Sequence, residues 1–204
     1  MKLYFMRHGE TDWNTVRRIQ GTTDIPLNQN GIDVAEKTAL GMKNEGIVFD
    51  RIFCSPLQRA VRTAEIMSAF SSCSITKDER ITEFNFGECE GQRLSDLKLD
   101  PKYQDQVYWF TDTSRYREGY GSESIVHFFG RLQSFLNEEI LPIEGRADNV
   151  LLVAHGGVSR GLATILEGKD QGNMCHVGIP NCGVNLARLE NGRFTVEFIG
   201  KTYY

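Results

Sequence analysis

One pattern occurs twice in the chain, and both copies end in residue types that can do chemistry. Leu3-Tyr4-Phe5-Met6 runs into Arg7-His8-Gly9, and Leu151-Leu152-Val153-Ala154 runs into His155-Gly156-Gly157. Each copy is an apolar run of strand length that ends in His-Gly. In open α/β sheets ligands sit beyond the carboxyl ends of the strands, so two histidines placed there can face one pocket. The glycines leave backbone N–H groups open to close approach by an anion. An anion site that holds two imidazoles is the first expectation.

Positioning such a pair takes a sheet, and the rest of the chain reads as one. Lys2–Met6, Arg51–Cys54, Ser74–Lys77 and Val150–Ala154 read as strands. Gly31–Glu45 reads as a helix, with Ile32, Ala35, Ala39 and Met42 on one face. Ser55-Pro56 reads as the N-cap and first residue of a helix through about Ala69. Ser122–Leu141 reads as a long helix with Pro142 just beyond it, and another helix runs from about Val158 to Leu166. Val184–Leu189 and Arg193–Phe198 flank Asn191-Gly192, a hairpin turn signal. Arg80–Gln92 has no clean period and reads as loop. Lys98–Tyr120 is polar and aromatic. Strands alternate with helices, so the class is α/β.

The 204 residues suit one domain, expected to span 1–204. With 23 basic against 27 acidic residues the net charge is -4, which argues against broad binding to nucleic acid or anionic membrane while leaving room for a local basic pocket. The short apolar start meets Arg7-His8 too soon for a signal peptide. No stretch approaches the roughly 20 apolar residues of a membrane span. The five cysteines, Cys54, Cys73, Cys89, Cys175 and Cys182, are odd in number and form no C-x-x-C pair. Idle thiols in a reducing cytoplasm, with no zinc site, are the expectation.

Further blocks complete the pattern. Arg7-His8-Gly9-Glu10-Thr11 is followed by Asn14 and Gln20-Gly21; Ser55-Pro56-Leu57-Gln58-Arg59-Ala60 comes with Thr63-Ala64; Glu83 precedes Gly87, Glu90 and Gly91; His155-Gly156-Gly157 closes the series. In these residues, and in their order, the chain resembles the histidine phosphatase superfamily, also called phosphoglycerate mutase-like. The resemblance implies a three-layer sandwich with a central, mostly parallel sheet flanked by helices. It also implies a small cap segment at about residues 93–121.

The resemblance further implies that His8 is a nucleophile that becomes a phosphohistidine through the ring nitrogen farther from the backbone. A neutral imidazole suits that task near pH 7 without a thiolate or a metal. Arg7, Arg59 and His155 are implied to neutralise the phosphoryl oxygens, and Gly156 to lie beside them. Glu83 is implied to be general acid and then general base, with Glu79, Glu88 and Glu90 as nearby competitors. Asn14 is implied to lie against the phosphate, and Gln20 and Gly21 at the substrate mouth. Arg115 and Arg117 are candidates for holding a second acidic group. His127 and His176 fit no motif and read as a helix-face and a loop residue.

The expected activity is metal-independent hydrolysis of a small phosphorylated metabolite, with no cofactor. The alternative is a cofactor-dependent phosphoglycerate mutase. The position three after Glu83 is Phe86 where family mutases usually carry Tyr, and Leu94 lies near their Lys position, which favours the phosphatase. A non-catalytic module would have lost the nucleophile or the acid, and neither is missing. A cysteine phosphatase would need Cys-x5-Arg, whereas Cys54 and Arg59 are spaced Cys-x4-Arg with Pro56 inside. The leaving group and the choice between monomer and homodimer stay open.

Overall fold

The computed structural model describes all 204 residues except Ser72, Cys175 and His176, and Asn173 in its backbone only. The described strands are β1 (Lys2–Arg7), β2 (Arg51–Cys54), β3 (Ile75–Lys77), β4 (Asn149–Ala154), β5 (Val184–Glu190) and β6 (Arg193–Lys201). The described helices are α1 (Asp12–Thr15), α2 (Gln29–Asn44), α3 (Gln58–Met67), α4 (Leu94–Leu97), α5 (Gln104–Val107), α6 (Ile125–Phe135) and α7 (Gly156–Leu166). The strands form one sheet in the order β3-β2-β4-β1-β5-β6. β3, β2, β4 and β1 are parallel, and the β5–β6 hairpin adds to β1 antiparallel. Asn191 and Gly192 both take left-handed φ values at that hairpin, as a tight two-residue turn requires.

The apolar runs are continuous because both faces of the sheet are covered. Leu3 and Phe5 of β1 join Phe53, Val150 and Leu152 in a cluster with Phe128, Leu132, Val158 and Leu162 of α6 and α7. Tyr4 and Met6 point the other way, into a cluster with Ala35, Met42, Ala60 and Ala64 of α2 and α3. The expected three layers follow from this alternation. Each large apolar side chain contributes roughly 1.5–3 kcal/mol on leaving water.

Several helix ends differ from the sequence reading. α3 starts at Gln58 rather than Pro56, because the Ser55 hydroxyl accepts from Leu57 N at 3.3 Å in a tight turn and Leu57 remains extended. The free N–H of Gln58 is instead capped by Asp24 Oδ1 at 2.8 Å, from a distant loop. α6 starts at Ile125, with Ser124 as its cap, and runs on through a wide turn (Leu136–Ile140) into a tight one (Leu141–Ile143) that contains Pro142. α7 starts at Gly156, two residues before Val158. Segment 93–121 contributes Tyr103, Trp109 and Tyr116 to the core. Trp109 is fully buried and stacks on Phe84 at 3.7 Å, while Phe110 stacks on Phe86 at 5.3 Å.

The β1–β4 register sets up the site. Arg7 pairs with Ala154, so His8 and His155 leave the sheet side by side, and His8 N donates to Ala154 O at 2.9 Å. A slip of one residue would send these side chains to opposite faces. The loop after β1 then crosses the start of α2 at two glycines. A Cβ on Gly31 would lie 2.1 Å from Glu10 O, and one on Gly9 would lie 2.5 Å from Gly31 O.

These contacts give opposite expectations for two helical glycines. A Cβ on Gly130 meets nothing within 4 Å. Gly130→Ala gains helix propensity and should raise Tm by about 2–4 °C. Gly31→Ala forces backbone apart and should lower Tm by about 4–10 °C. Thermal unfolding followed by circular dichroism checks both, and an unchanged Tm in Gly31→Ala would contradict the close approach.

Candidate active site

His8 is 3% exposed and lies at the end of β1. Its Nδ1 is 2.6 Å from Gly9 O. A carbonyl only accepts, so Nδ1 carries the proton and Nε2 carries the lone pair. Arg59 Nε donates to that Nε2 at 3.2 Å. The carbonyl that fixes the ring is itself held in place: Gly9 N donates to Thr63 Oγ1 at 3.0 Å, and Asn181 Nδ2 donates to His8 O and Gly9 O at 3.1 Å each. Burial, then the charges of Arg59 and Arg7, hold the His8 pKa well below the ordinary 6.5. His155 is also fully buried and its pKa is likewise lowered, first by burial and then by Arg59. The two rings are 5.2 Å apart, and among the described residues neither His155 nitrogen has a hydrogen-bond partner.

Two guanidinium groups face these rings. Arg59 is fully buried on α3, and burial lowers its pKa to about 10, so it stays charged at neutral pH. Its Nη1 donates to Thr23 O at 2.8 Å and its Nη2 to Gly21 O at 2.7 Å. Arg7 Nη1 donates to Ile179 O at 3.0 Å, while its Nε has no partner among the described residues. Cations, neutral imidazoles and unpartnered nitrogens together make a cradle for an anion.

Glu83 closes one side. Its Oε1 accepts from Phe84 N and its Oε2 from Gly157 N, both at 2.9 Å. The second glycine of His155-Gly156-Gly157 is required by this contact, because a Cβ on Gly157 would lie 2.4 Å from Glu83 Oε1. Arg131 holds the segment that carries Glu83. Its Nη1 donates to Arg80 O and Thr82 O at 2.6 Å each, and its Nη2 to Glu83 O at 3.2 Å. Buried Glu123 pairs with Arg131 at 2.7 Å.

A cavity of about 850 Å³ opens from the cradle, lined by Arg7, His8, Asn14, Gln20, Gly21, Arg59, Glu83 and Gly156 among others. His155 lies beneath this wall, against His8. Asn14 reaches the wall, but its Oδ1 already accepts from Thr11 N at 3.1 Å and Asn181 Nδ2 at 3.3 Å. Gln20 is buried, and its Oε1 has no hydrogen-bond partner among the described residues. Glu90 is engaged elsewhere. Its oxygens accept from the backbone N–H groups of Thr22, Thr23 and Phe86 at 2.8, 2.9 and 3.1 Å. Glu88 is an exposed partner of Lys102.

Arg115 and Arg117 do not line the cavity. Arg115 lies over the Tyr108 ring at 3.9 Å and donates to its hydroxyl, and Arg117 donates to Ser114 O and Tyr116 O. His127 is exposed on α6 beside Glu123, and His176 lies outside the described residues. Burial pushes the Cys54 thiol up to about 11, which removes it as a thiolate nucleophile. Cys54, Cys73, Cys89 and Cys182 are free, and Cys175 lies outside the described residues. Among the described residues no three His, Cys, Asp or Glu side chains gather as metal ligands, and no helix is long and apolar enough to cross a membrane.

Sequence reasoning gave no role to Thr63, Glu123, Arg131 and Asn181. Thr63 stood in a quoted motif without a function. The others act through contacts across the fold, for which the sequence carries no local signal.

Residues 3–202 match the sequence profile of the histidine phosphatase superfamily (branch 1). The chain is 31% identical over 193 residues to "Probable phosphoglycerate mutase GpmB" of Proteus mirabilis, covering 94% of this chain and 86% of that one. It is 34% identical over 169 residues to "Uncharacterized phosphatase PhoE" of Bacillus subtilis, covering 81% and 77%. Among solved structures, Bacillus stearothermophilus YhfR superposes with a TM-score of 0.86 at 26% identity, covering 98% of this chain and 97% of that one.

A lowered pKa means that His8 gains its second proton only well below 6.5. Nitrogen NMR at about pH 6 should therefore find His8 neutral, with its proton on Nδ1. A doubly protonated ring at that pH would contradict the geometry.

Proposed function

The chain belongs to the histidine phosphatase superfamily, and from that premise we propose that it hydrolyses phosphomonoesters, without a metal, through a phosphohistidine at His8 Nε2. The observation that carries this reading is the fixed tautomer: Gly9 O holds Nδ1–H, and the Nε2 lone pair, which accepts from Arg59 Nε, faces the cradle. The substrate phosphate takes the Arg59 N–H from Nε2 and lies between Arg7 and Arg59. The Nε2 lone pair forms the N–P bond, and the P–O bond to the alcohol breaks. Glu83 supplies the proton that the departing alkoxide takes. The imidazolium so formed keeps its Nδ1 proton on Gly9 O, which stabilises its charge. Glu83, now a carboxylate, takes a proton from water, the water oxygen bonds phosphorus, and the N–P bond breaks. Phosphate leaves, and His8 and Glu83 return to their starting states.

A second reading, phosphoglycerate mutase, draws on the name of the Proteus mirabilis relative. A mutase must hold both phosphorylated ends and exclude water from the phosphohistidine. Phe86 brings a ring to the cavity wall where family mutases usually carry a hydroxyl, which supports hydrolysis.

Phosphate release from a panel of phosphomonoesters in excess EDTA tests the proposal. Release should persist, and a need for added divalent metal would contradict it. The panel includes 3-phosphoglycerate with and without 2,3-bisphosphoglycerate. Exchange to the 2-isomer with little release would establish the mutase instead. His8→Ala should abolish release, and more than about a tenth of the activity remaining would remove His8 as nucleophile. Glu83→Gln should lower kcat by about 10²–10⁴-fold. Gly157→Ala should lower it by at least about tenfold while the protein stays folded, because its Cβ displaces the Glu83 carboxylate. Wild-type kcat in that variant would contradict the Gly157–Glu83 contact.

A further inference from the structure

Resting on the reading of Glu83 as the general acid, we infer that Arg131, with its partner Glu123, is the positioning residue for that acid. The pair acts on protonation of the leaving oxygen, and not on the nucleophile or on the cradle that holds phosphate.

The Glu83 carboxylate is placed by backbone. Among the described residues only the N–H groups of Phe84 and Gly157 donate to it, and no side chain does. Its position therefore follows from the path of the chain at 80–85. That path has little regular structure of its own. A tight turn at Glu79–Ile81 ends at Thr82, and no strand or helix covers 82–86. In place of a ladder, the carbonyls of Arg80, Thr82 and Glu83 converge on the Arg131 guanidinium. Carbonyls that turn inward toward one point require donors there, and a cation is the strongest available.

Glu123 completes the holder. Its Oε1 accepts from Arg131 Nε at 2.7 Å and its Oε2 from Arg131 Nη2 at 3.0 Å, a two-pronged pair. It also grips the chain on the far side of Glu83: Glu123 N donates to Asn85 O at 2.8 Å, and Asn85 N donates to Glu123 Oε2 at 3.3 Å. The acid is thus held from both sides, through its own carbonyl on one and through Asn85 on the other. The Arg131 and Glu123 side chains are 12% and 6% exposed, yet neither lines the cavity. Their route to the reacting atoms runs through Glu83.

The arrangement uses the full guanidinium. Nη1 serves two carbonyls, Nη2 serves a carbonyl and a carboxylate oxygen, and Nε serves the other carboxylate oxygen. A lysine ammonium has no planar fork, so it keeps the charge opposite Glu123 while losing part of this set. Arg131 also acts on buried His155, whose pKa is lowered by burial, Arg59 and His8 before Arg131. Lysine retains that charge, which separates the two effects.

A leaving-group series tests the inference. The compounds 4-nitrophenyl, phenyl and benzyl phosphate are alike in shape and release progressively more basic oxygens, and kcat/KM for each reports the step in which His8 takes the phosphoryl group. A nitrophenolate leaves with little help, whereas a benzyl alkoxide needs the Glu83 proton. Arg131→Lys should lower kcat/KM by at least about tenfold for benzyl phosphate and by less than about threefold for 4-nitrophenyl phosphate. Glu83→Gln should show the same ranking with larger losses. Added to Glu83→Gln, Arg131→Lys should cost less than about threefold more with benzyl phosphate, because the group it positions is gone. Circular dichroism checks the fold. Should Arg131→Lys not fold, Glu123→Gln, which keeps an acceptor for Arg131, gives the same comparison with the same expected ranking. Equal losses on all three esters would overturn the inference, as would a loss that multiplies in full with that of Glu83→Gln, since both mark a purely structural role. A ranking in Glu83→Gln without one in Arg131→Lys would keep the acid and overturn its positioning by Arg131. Equal losses across the series in Glu83→Gln itself would remove Glu83 as the acid, and the positioning role with it.

Discussion

The site depends on one constraint: an imidazole must stay uncharged while buried against guanidinium groups. Burial and the charges of Arg59 and Arg7 act in the same direction on His8, and both oppose a second proton on its ring. The Gly9 carbonyl then decides which nitrogen keeps the single proton. A charged neighbour would ordinarily be costly to bury, on the order of several kcal/mol for an unpaired ion. Arg59 is tolerated because its Nε, Nη1 and Nη2 each donate to an acceptor: His8 Nε2, Thr23 O and Gly21 O.

That arrangement reaches outward through backbone rather than through side-chain charge pairs. Glu90 holds the N–H groups of Thr22 and Thr23, and so presents the two carbonyls that receive Arg59. Gly21 permits this, since a Cβ there would lie 2.0 Å from Glu90 Oε1 and its φ of +53° is left-handed. On the opposite wall Arg131, paired with buried Glu123, gathers the carbonyls of Arg80, Thr82 and Glu83, while Gly157 lets the Glu83 carboxylate reach the start of α7. Acidic residues with no place against the ligand thus set the positions of the groups that have one.

Much of this was legible in the sequence because it is local. Apolar runs ending in His-Gly gave β1 and β4, and the β1–β4 register brought their ends together. The alternating burial of Leu3, Tyr4, Phe5 and Met6 gave the layers. What was not legible is long-range. Ser55-Pro56 carries the local signature of a helix start, yet the cap comes from Asp24 and α3 begins later. Arg115 and Arg117 looked like ligand groups by charge alone, but aromatic stacking and backbone carbonyls take them away from the cavity. Arg18 and Arg93 carried no motif, and a bridge between two distant segments sets them opposite each other. Lys98–Tyr120 read only as polar and aromatic, while its Trp109 is buried against Phe84 in the core.

The central claim, that His8 Nε2 accepts the phosphoryl group, is tested most directly by trapping it there. Rapid alkaline quenching during turnover of a phosphomonoester, followed by peptide mass spectrometry, locates the phosphoryl group. The fixed tautomer predicts an acid-labile phosphoryl group on the peptide that contains His8, attached at Nε2. A phosphoryl group at Nδ1 of His8, or on any other residue, would contradict the account.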